Sequence, residues 1–367
     1  MTRVETGSVL GGMRSRFERA REVAADRVAR AEQARVAPQA PAPQRQQLFR
    51  LREIAIELTS KCNLSCEMCS VWKGARDGLD RDRIIALLDE ARGLGARIFS
   101  TSGAEIFMRK DTPQILMAAQ RLGYERISVV TNGTLVARHA ATLAAIPGLS
   151  LGVSIDGPEK VHDALRGPGT YRKAVEGVRA LRRKGVEVHL NGVLMQPTLA
   201  TAGQLIDLAI ELGLSRVSFQ PFQPEIAWDQ DDHSRWVFAP EDRGRVAEAL
   251  GGLLQKARLA GIAIATESMF PAIPPYLFDG IRPVPPGGCF LPSRFLLVSR
   301  SGDTFPCFFM RGQSMGNVAE GVRLRDIWHG PVQRRMQARG LAGDCPGCLA
   351  GCSDVESFNR SAGRPQA

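Results

Sequence analysis

The chain is poor in aromatic residues, which make up 6% of its 367 positions and include only three tyrosines. Proteins that hold nucleic acid by base stacking need several exposed rings, and no DNA- or RNA-binding motif is present. A nucleic-acid partner is therefore not expected, even though the net charge is +10. Anionic small molecules, acidic peptides or an acidic electron donor remain compatible with that charge. No apolar run approaches the roughly 20 residues that a membrane-spanning helix needs, so no membrane partner is expected. Residues 1–32 carry charges throughout and lack the apolar segment of a secretory signal. These absences lead us to expect a cytoplasmic protein. Cysteine is absent from most of the chain, because all eight cysteines fall in two groups. In a cytoplasmic chain that distribution reads as metal ligands before disulfides.

The first group is Cys62-Asn63-Leu64-Ser65-Cys66-Glu67-Met68-Cys69, a C-x3-C-x2-C run directly after a strand-like segment. Three thiolates on one tight loop can grip three corners of a cubane iron–sulfur cluster and leave the fourth iron without a protein ligand. An iron with an open position can bind a small molecule and pass it an electron. Zinc sites use four protein ligands, and redox C-x-x-C pairs use two. The second group is Cys289, Cys307, Cys345, Cys348 and Cys352. A hairpin is predicted between its first two members, over 295–298 and 304–308, turned at Ser301-Gly302. A structural zinc ribbon would need four of these cysteines in two pairs and would leave one over.

From residue 53 the pattern alternates strand and helix. Strands are predicted over 53–58, 97–101, 126–131, 150–155, 186–194 and 216–220. Helices are predicted over 80–92, 111–122, 137–145, 171–184 and 202–212, and four of them end just before Gly93, Gly123, Gly185 or Gly213. Six β–α units in series imply an α/β fold with a parallel sheet. Residues 1–46 read as a helical or disordered extension, helix-forming over 13–35, with a Pro-rich linker over 37–44. Residues 229–285 read as a connector with a helix over 240–260.

The Cys62–Cys69 run resembles the signature of radical S-adenosylmethionine (SAM) enzymes. From about residue 53 to about residue 358 the chain resembles the subgroup with a C-terminal SPASM or twitch domain. The resemblance implies a partial (β/α)6 TIM-like barrel over 47–228, the connector, and a SPASM/twitch domain over 286–367 carrying an auxiliary cluster. It implies SAM and two 4Fe-4S clusters as cofactors. Cys62, Cys66 and Cys69 would hold the SAM-binding cluster. Cys289-x12-Gly302-x4-Cys307 matches the subgroup's motif, so Cys289 and Cys307 would hold the auxiliary cluster. Cys345 and Cys348 would complete the set, or Cys352 would displace Cys345. The extension is too short for the winged-helix domain of many peptide-modifying relatives.

The same resemblance assigns SAM contacts at strand ends. Gly103 and Glu105 match two positions of the family's Gly-Gly-Glu-Pro motif, while Ala104 and Ile106 depart from it. Asn132 lies in a Thr-Asn-Gly turn. Ser154 and Asp156 could reach the SAM ribose or carboxylate. Arg166 is either a ligand of the SAM carboxylate or one half of a structural salt bridge. Asn191 and Val193 fall where relatives contact adenosine, and Met68 joins this set from within the cysteine loop. His189 shares their face of the strand, as substrate neighbour or structural histidine. Gln220, Gln223 and Glu225 are expected to line the substrate pocket.

The implied reaction is reductive cleavage of SAM to a 5′-deoxyadenosyl radical that takes a substrate hydrogen. One auxiliary cluster suggests an oxidoreductase, with oxidation (dehydrogenation) or epimerisation of a small natural-product intermediate such as a sugar, aminocyclitol or nucleoside. A maturase of a ribosomal peptide or protein side chain is the alternative, and a non-catalytic iron–sulfur or zinc-binding protein a third reading. A flavodoxin- or ferredoxin-type electron donor is the expected partner.

Overall fold

The computed structural model describes residues 49–74, 78–101, 103–224, 233–284, 288–312, 314–345 and 347–349. The predicted N-terminal extension, Glu225 and Cys352 lie outside these residues.

Six strands and the helices between them build the first part of the chain. Strand β1 (Glu53–Ile56) leads to the cysteine loop and helix α1 (Arg81–Gly93). Then follow β2 (Ile98–Thr101), α2 (Thr112–Arg121), β3 (Arg126–Thr131), α3 (Ala140–Ala144) and β4 (Leu149–Ser154). Helices α4 (Glu159–Arg166) and α5 (Thr170–Arg183) precede β5 (Glu187–Leu194), and α6 (Gly203–Glu211) precedes β6 (Arg216–Pro221). The remaining elements are α7 (Arg243–Ala260), β7 (Ala263–Ile264), α8 (Ile273–Phe278), β8 (Phe295–Val298), β9 (Thr304–Phe305), α9 (Leu324–Trp328) and α10 (Pro331–Leu341).

Among the described residues the strands form one open sheet, in the order β7-β6-β5-β4-β3-β2-β1-β8-β9. Every pairing is parallel except β8 with β9. This is the parallel α/β sheet that the alternating pattern implies, left open as in the partial barrel that the resemblance implies. Strand β8, from the predicted hairpin, pairs directly with β1, Glu53 against Phe295. Within the connector, β7 extends the other edge against β6.

The strands read apolar on the face that meets the helices. Ile54, Phe99, Ile127, Leu151, Leu190 and Val217 are fully buried there, which is the main source of stability in such a layer. The alternate residues are small or polar. Ser100, Ser128, Ser154, His189, Asn191, Ser218 and Gln220 are half-buried on the inner face. Register aligns them in rows: Ser100 with Ser128 and Ser150, and Ser154 with Asn191 and Ser218. A closed eight-stranded barrel fills this space with bulky branched side chains. Here the inner face leaves room and hydrogen-bonding groups for ligands.

Helix α4 carries the His162-to-Gly167 run and was not predicted. It is only eight residues long, starts after Pro158 and stops at Gly167, whose φ is +112°. So short a helix gives little periodicity to read.

Candidate active site

The cysteine loop leaves the C-terminal end of β1 and is fastened on three sides. Asn63 Nδ2 donates to Thr134 Oγ1 at 2.9 Å, and Asn132 Nδ2 donates back to Asn63 Oδ1 at 3.0 Å. Asn132 Nδ2 also stands 3.9 Å from Cys62 Sγ. The Thr-Asn-Gly turn after β3 is thus a clasp on the loop. On the second side, the Glu67 N–H donates to Leu165 O of α4 at 3.0 Å. On the third, Cys66 and Met68 are buried with Leu165, Met195, Phe222 and Trp236. That apolar wall covers the Cys66 thiol and part of Cys69. Burial pushes the Cys62 thiol up and the Cys66 thiol to about 11, with the Arg166 cation opposing the rise at Cys66. As thiolates they need a positive centre beside them, which an iron cluster supplies.

Glu105 is fully buried at the end of β2. Its carboxylate accepts the N–H of Phe107 at 3.1 Å, the N–H of Asn132 at 2.8 Å and the hydroxyl of Thr131 at 2.9 and 2.8 Å. Burial raises its carboxyl above the usual range, against the pull of these donors. The side chain therefore stitches the end of β2 to the end of β3, under the clasp that holds the loop. Gly103, two residues earlier, is exposed with φ +118°, a left-handed value that suits glycine.

Asp156 is buried just past β4 and also fully engaged. Its Oδ2 accepts from Arg166 Nε at 2.6 Å, and its Oδ1 accepts the N–H of Val193 at 3.1 Å. Its own N–H donates to His162 Nδ1 at 3.2 Å. The salt-bridge reading of Arg166 is therefore present in the structure. The bridge uses only Nε, and the terminal guanidinium nitrogens have no hydrogen-bond partner among the described residues. The cation lies close enough to lower the thiol of Cys66. Ser154 and Asn191 are register partners one row deeper. Gly152 makes room for this row: a Cβ there would lie 2.3 Å from Asn191 Nδ2 and 2.8 Å from His189 Nε2. Burial and the nearby Arg216 hold His189 down to about 4, so it is a neutral ring.

The described cysteines of the second group come from three segments, around Cys289, around Cys307 and the Cys345–Cys348 loop. Cys289 N–H donates to Gly340 O at 2.7 Å, and Gly340 has no room for a Cβ, which would lie 2.5 Å from Cys289 O. Met310 N–H donates to Cys307 Sγ at 3.2 Å. Cys289 and Cys345 share a thiol hydrogen bond, which raises Cys289 and lowers Cys345. Cys345 and Cys348 both press on Cys307. Among the described residues, no three His, Cys, Asp or Glu side chains form a site for a single metal ion. The segment then reaches the barrel: Gln223 Nε2, just past β6, donates to Leu349 O at 3.3 Å, and Tyr276 Oη donates to Gln223 Oε1 at 3.4 Å.

Family comparison agrees with both groups. The family model "Radical SAM superfamily" matches residues 56–209, and "Iron-sulfur cluster-binding domain", the SPASM model, matches 289–350. An AdoMet-dependent heme synthase of Oleidesulfovibrio alaskensis is 30% identical over 308 residues, 76% of this chain and 74% of that protein. The chain is a radical SAM enzyme of the SPASM subgroup. It is also similar to a PqqA peptide cyclase of Streptomyces rochei, at 28% identity over 284 residues, covering 75% of this chain and 74% of that one. In fold it is similar to Streptococcus suis SuiB bound to its precursor peptide SuiA, with a TM-score of 0.65 at 16% identity, covering 90% and 83% of the two chains. SAM and a 4Fe-4S cluster belong to the first domain and auxiliary iron–sulfur to the second. The donor chemistry fits these groups: Cys66 and Cys69 lie near the Arg166 cation, and Cys289, Cys345 and Cys348 lie near Cys307 or one another.

Four contributors escaped the sequence reading. Asn63 and Thr134 complete the clasp. Arg311 pairs with buried Glu57 at 2.6 Å and ties the segment after Cys307 to the end of β1. Gln223 was expected to line a pocket, and its tie to Leu349 was not foreseen. None carries a spacing signal, because each contact joins segments at least 71 residues apart.

Proposed function

We propose that this radical SAM enzyme oxidises an anionic small molecule, with the second cysteine group holding the cluster that accepts the electron. The observation that carries the proposal is the Gln223–Leu349 hydrogen bond. It ties the auxiliary cysteine segment to the end of β6, at the same end of the sheet as the cysteine loop. An electron acceptor beside the substrate space favours net oxidation over a redox-neutral outcome.

The cofactors supply reductive cleavage of SAM and a radical able to take hydrogen from an unactivated C–H bond. The protein's part is to bind, orient and exclude water. Cys62, Cys66 and Cys69 hold the first cluster. The terminal guanidinium nitrogens of Arg166 offer a cation to the carboxylate of SAM, and Asp156 fixes their direction. Glu105 and Asn132 shape the backbone around the cofactor, and the Glu105 carboxylate is engaged by protein donors. Met68, Met195, Phe222 and Trp236 keep water out on one side. His189, Asn191 and Gln220 offer hydrogen bonds to the substrate from the inner face. The net charge of +10 and the heme-synthase likeness favour an anionic small molecule. A flavodoxin- or ferredoxin-type protein is the electron donor in this reading.

A ribosomal peptide is the second reading, favoured by the likeness to the PqqA peptide cyclase over three quarters of the chain. Turnover of reconstituted enzyme with deuterated candidates tests both. Oxidation predicts deuterium in 5′-deoxyadenosine and a product lighter by two hydrogens. A product of unchanged mass and inverted configuration would make the enzyme an epimerase. Turnover confined to peptides would move it to the second reading.

A further inference from the structure

The opposite, N-terminal ends of the strands carry a constellation that the reaction does not use. Arg294 precedes β8, Arg52 precedes β1, Arg97 precedes β2 and Arg126 opens β3. Their backbones are laced together step by step. The N–H groups of Arg52 and Glu53 both donate to Arg294 O, at 2.7 and 3.0 Å. Those of Arg97 and Ile98 donate to Arg52 O at 2.8 and 3.0 Å, and those of Glu125 and Arg126 to Arg97 O at 2.9 and 3.4 Å. Each step crosses one strand, about 4.8 Å. The four arginines therefore stand on one continuous arc fixed by main-chain bonds. Arg50 lies across it in a gap left by Gly95, where a Cβ would be 2.3 Å from Arg50 Nε. All five line one open cavity of about 400 Å³.

The lining holds five guanidinium groups and one carboxylate, and Arg52 and Arg294 have partners of their own. Glu125 pairs with Arg97 at 3.2 Å, and 71% of its side chain is exposed. Arg50 and Arg126 make no side-chain hydrogen bond or ion pair among the described residues. The ordinary role of this end of a barrel is stability, which would set acids between the bases, since like charges on neighbouring strands repel. An anion in the cavity removes that repulsion, and the planar forks of arginine match phosphate oxygens two at a time. The arc runs over four strands, roughly 14 Å from end to end, so two linked phosphates offer oxygens to more of its forks than one phosphate does.

We propose that this arc is a binding site for a small polyanion with adjacent phosphate groups, of the pyrophosphate or nucleoside-diphosphate class, on the face of the barrel opposite the SAM site. The test is calorimetric titration of inorganic pyrophosphate into the anaerobically reconstituted full chain. One pyrophosphate per chain is expected. Arg97→Ala with Arg126→Ala should weaken it at least tenfold and leave iron content and SAM affinity unchanged. Arg172→Ala with Arg179→Ala removes the same charge from the exposed face of α5 and should change little. If the double variant misfolds, Arg126→Gln alone carries the test, because that side chain makes no hydrogen bond or ion pair among the described residues. Tighter binding of ADP than of pyrophosphate would assign a nucleotide, and equal binding a diphosphate alone. No binding by the wild-type chain, or an equal loss in the α5 control, would overturn the proposal.

Discussion

Arg166 reaches Asp156 through Nε at 2.6 Å, and the other oxygen of that carboxylate is held by the Val193 N–H. A carboxylate so occupied is a positioning group for the arginine. Asp156→Asn keeps the size of the side chain but removes the charge that holds Arg166. Losing a charge-assisted bond costs about 1.5–3 kcal/mol, so SAM affinity should fall roughly 10- to 150-fold. The first cluster should survive, because none of its cysteines bonds to Asp156. Equilibrium dialysis with SAM, beside an iron assay, reads both. Undiminished affinity would mean that Arg166 does not hold SAM.

Glu105→Gln should act on stability before it acts on the cofactor. The amide can accept through one oxygen only, and its NH2 would face a backbone N–H or the Thr131 hydroxyl. A buried donor left unpaired costs about 1–3 kcal/mol, and two are at risk. Urea unfolding of the apoprotein should show a loss of roughly 2–4 kcal/mol. A loss below about 0.5 kcal/mol would show that the stitch between β2 and β3 contributes nothing.

Much of this architecture is legible in the chain order. Each predicted strand from 53 to 220 appears within two residues of its expected ends, because apolar alternation, glycine stops and regular β–α spacing agree. The hairpin at Gly302 appears as well, since a φ of +89° there suits glycine. Legibility fails where function depends on pairing across the chain. The sequence presents Glu105 and Asp156 as acids at strand ends, and nothing local says that their charges are spent on Asn132, Thr131, Val193 and Arg166. The pairing of β8 with β1 is equally silent, because it needs a register between segments more than 240 residues apart.

Asn132→Ala should separate the two clusters by iron content. It removes the donor to Asn63 and the acceptor that orients Thr134, so the cysteine loop loses one of its three fastenings. Among the described residues, no hydrogen bond joins the auxiliary group to this clasp. Anaerobic reconstitution should fall from about eight irons per chain toward four, with the remaining cluster insensitive to SAM by electron paramagnetic resonance. Full iron content would mean that the loop holds its shape without the clasp.

His162 sets an acid limit on stability. It is fully buried, its Nδ1 accepts the Asp156 N–H, and its ring packs edge-on to Tyr171. Burial and then the Arg166 cation hold it down to about 4, against the opposing carboxylates of Asp156 and Asp163. The unfolded chain, near its ordinary value of about 6.5, therefore binds the proton first as pH falls. Stability should decline from about pH 6.5 to about pH 4 and level off below, by up to roughly 3 kcal/mol from this residue. His162→Gln, measured by urea unfolding across that range, should flatten this part of the profile. An unchanged slope would assign the acid sensitivity to other groups.

The last prediction concerns the second cysteine group. Cys289, Cys307 and the Cys345–Cys348 pair come together from three segments, and Cys345 is the one that hydrogen bonds to Cys289. A cubane takes four thiolates, and these four are linked in pairs, Cys289 with Cys345 and Cys307 with Cys345 and Cys348. Cys289→Ala, Cys307→Ala, Cys345→Ala and Cys348→Ala should each strip the auxiliary cluster, leaving about four irons and intact SAM cleavage. Cys307→Ala should also cleave SAM without releasing oxidised product, because the electron has no acceptor. Cys352→Ala should keep about eight irons. If Cys352→Ala loses the cluster while Cys345→Ala retains it, the fourth ligand is Cys352, and the hydrogen bond between Cys289 and Cys345 belongs to a thiol that stands aside when iron is bound.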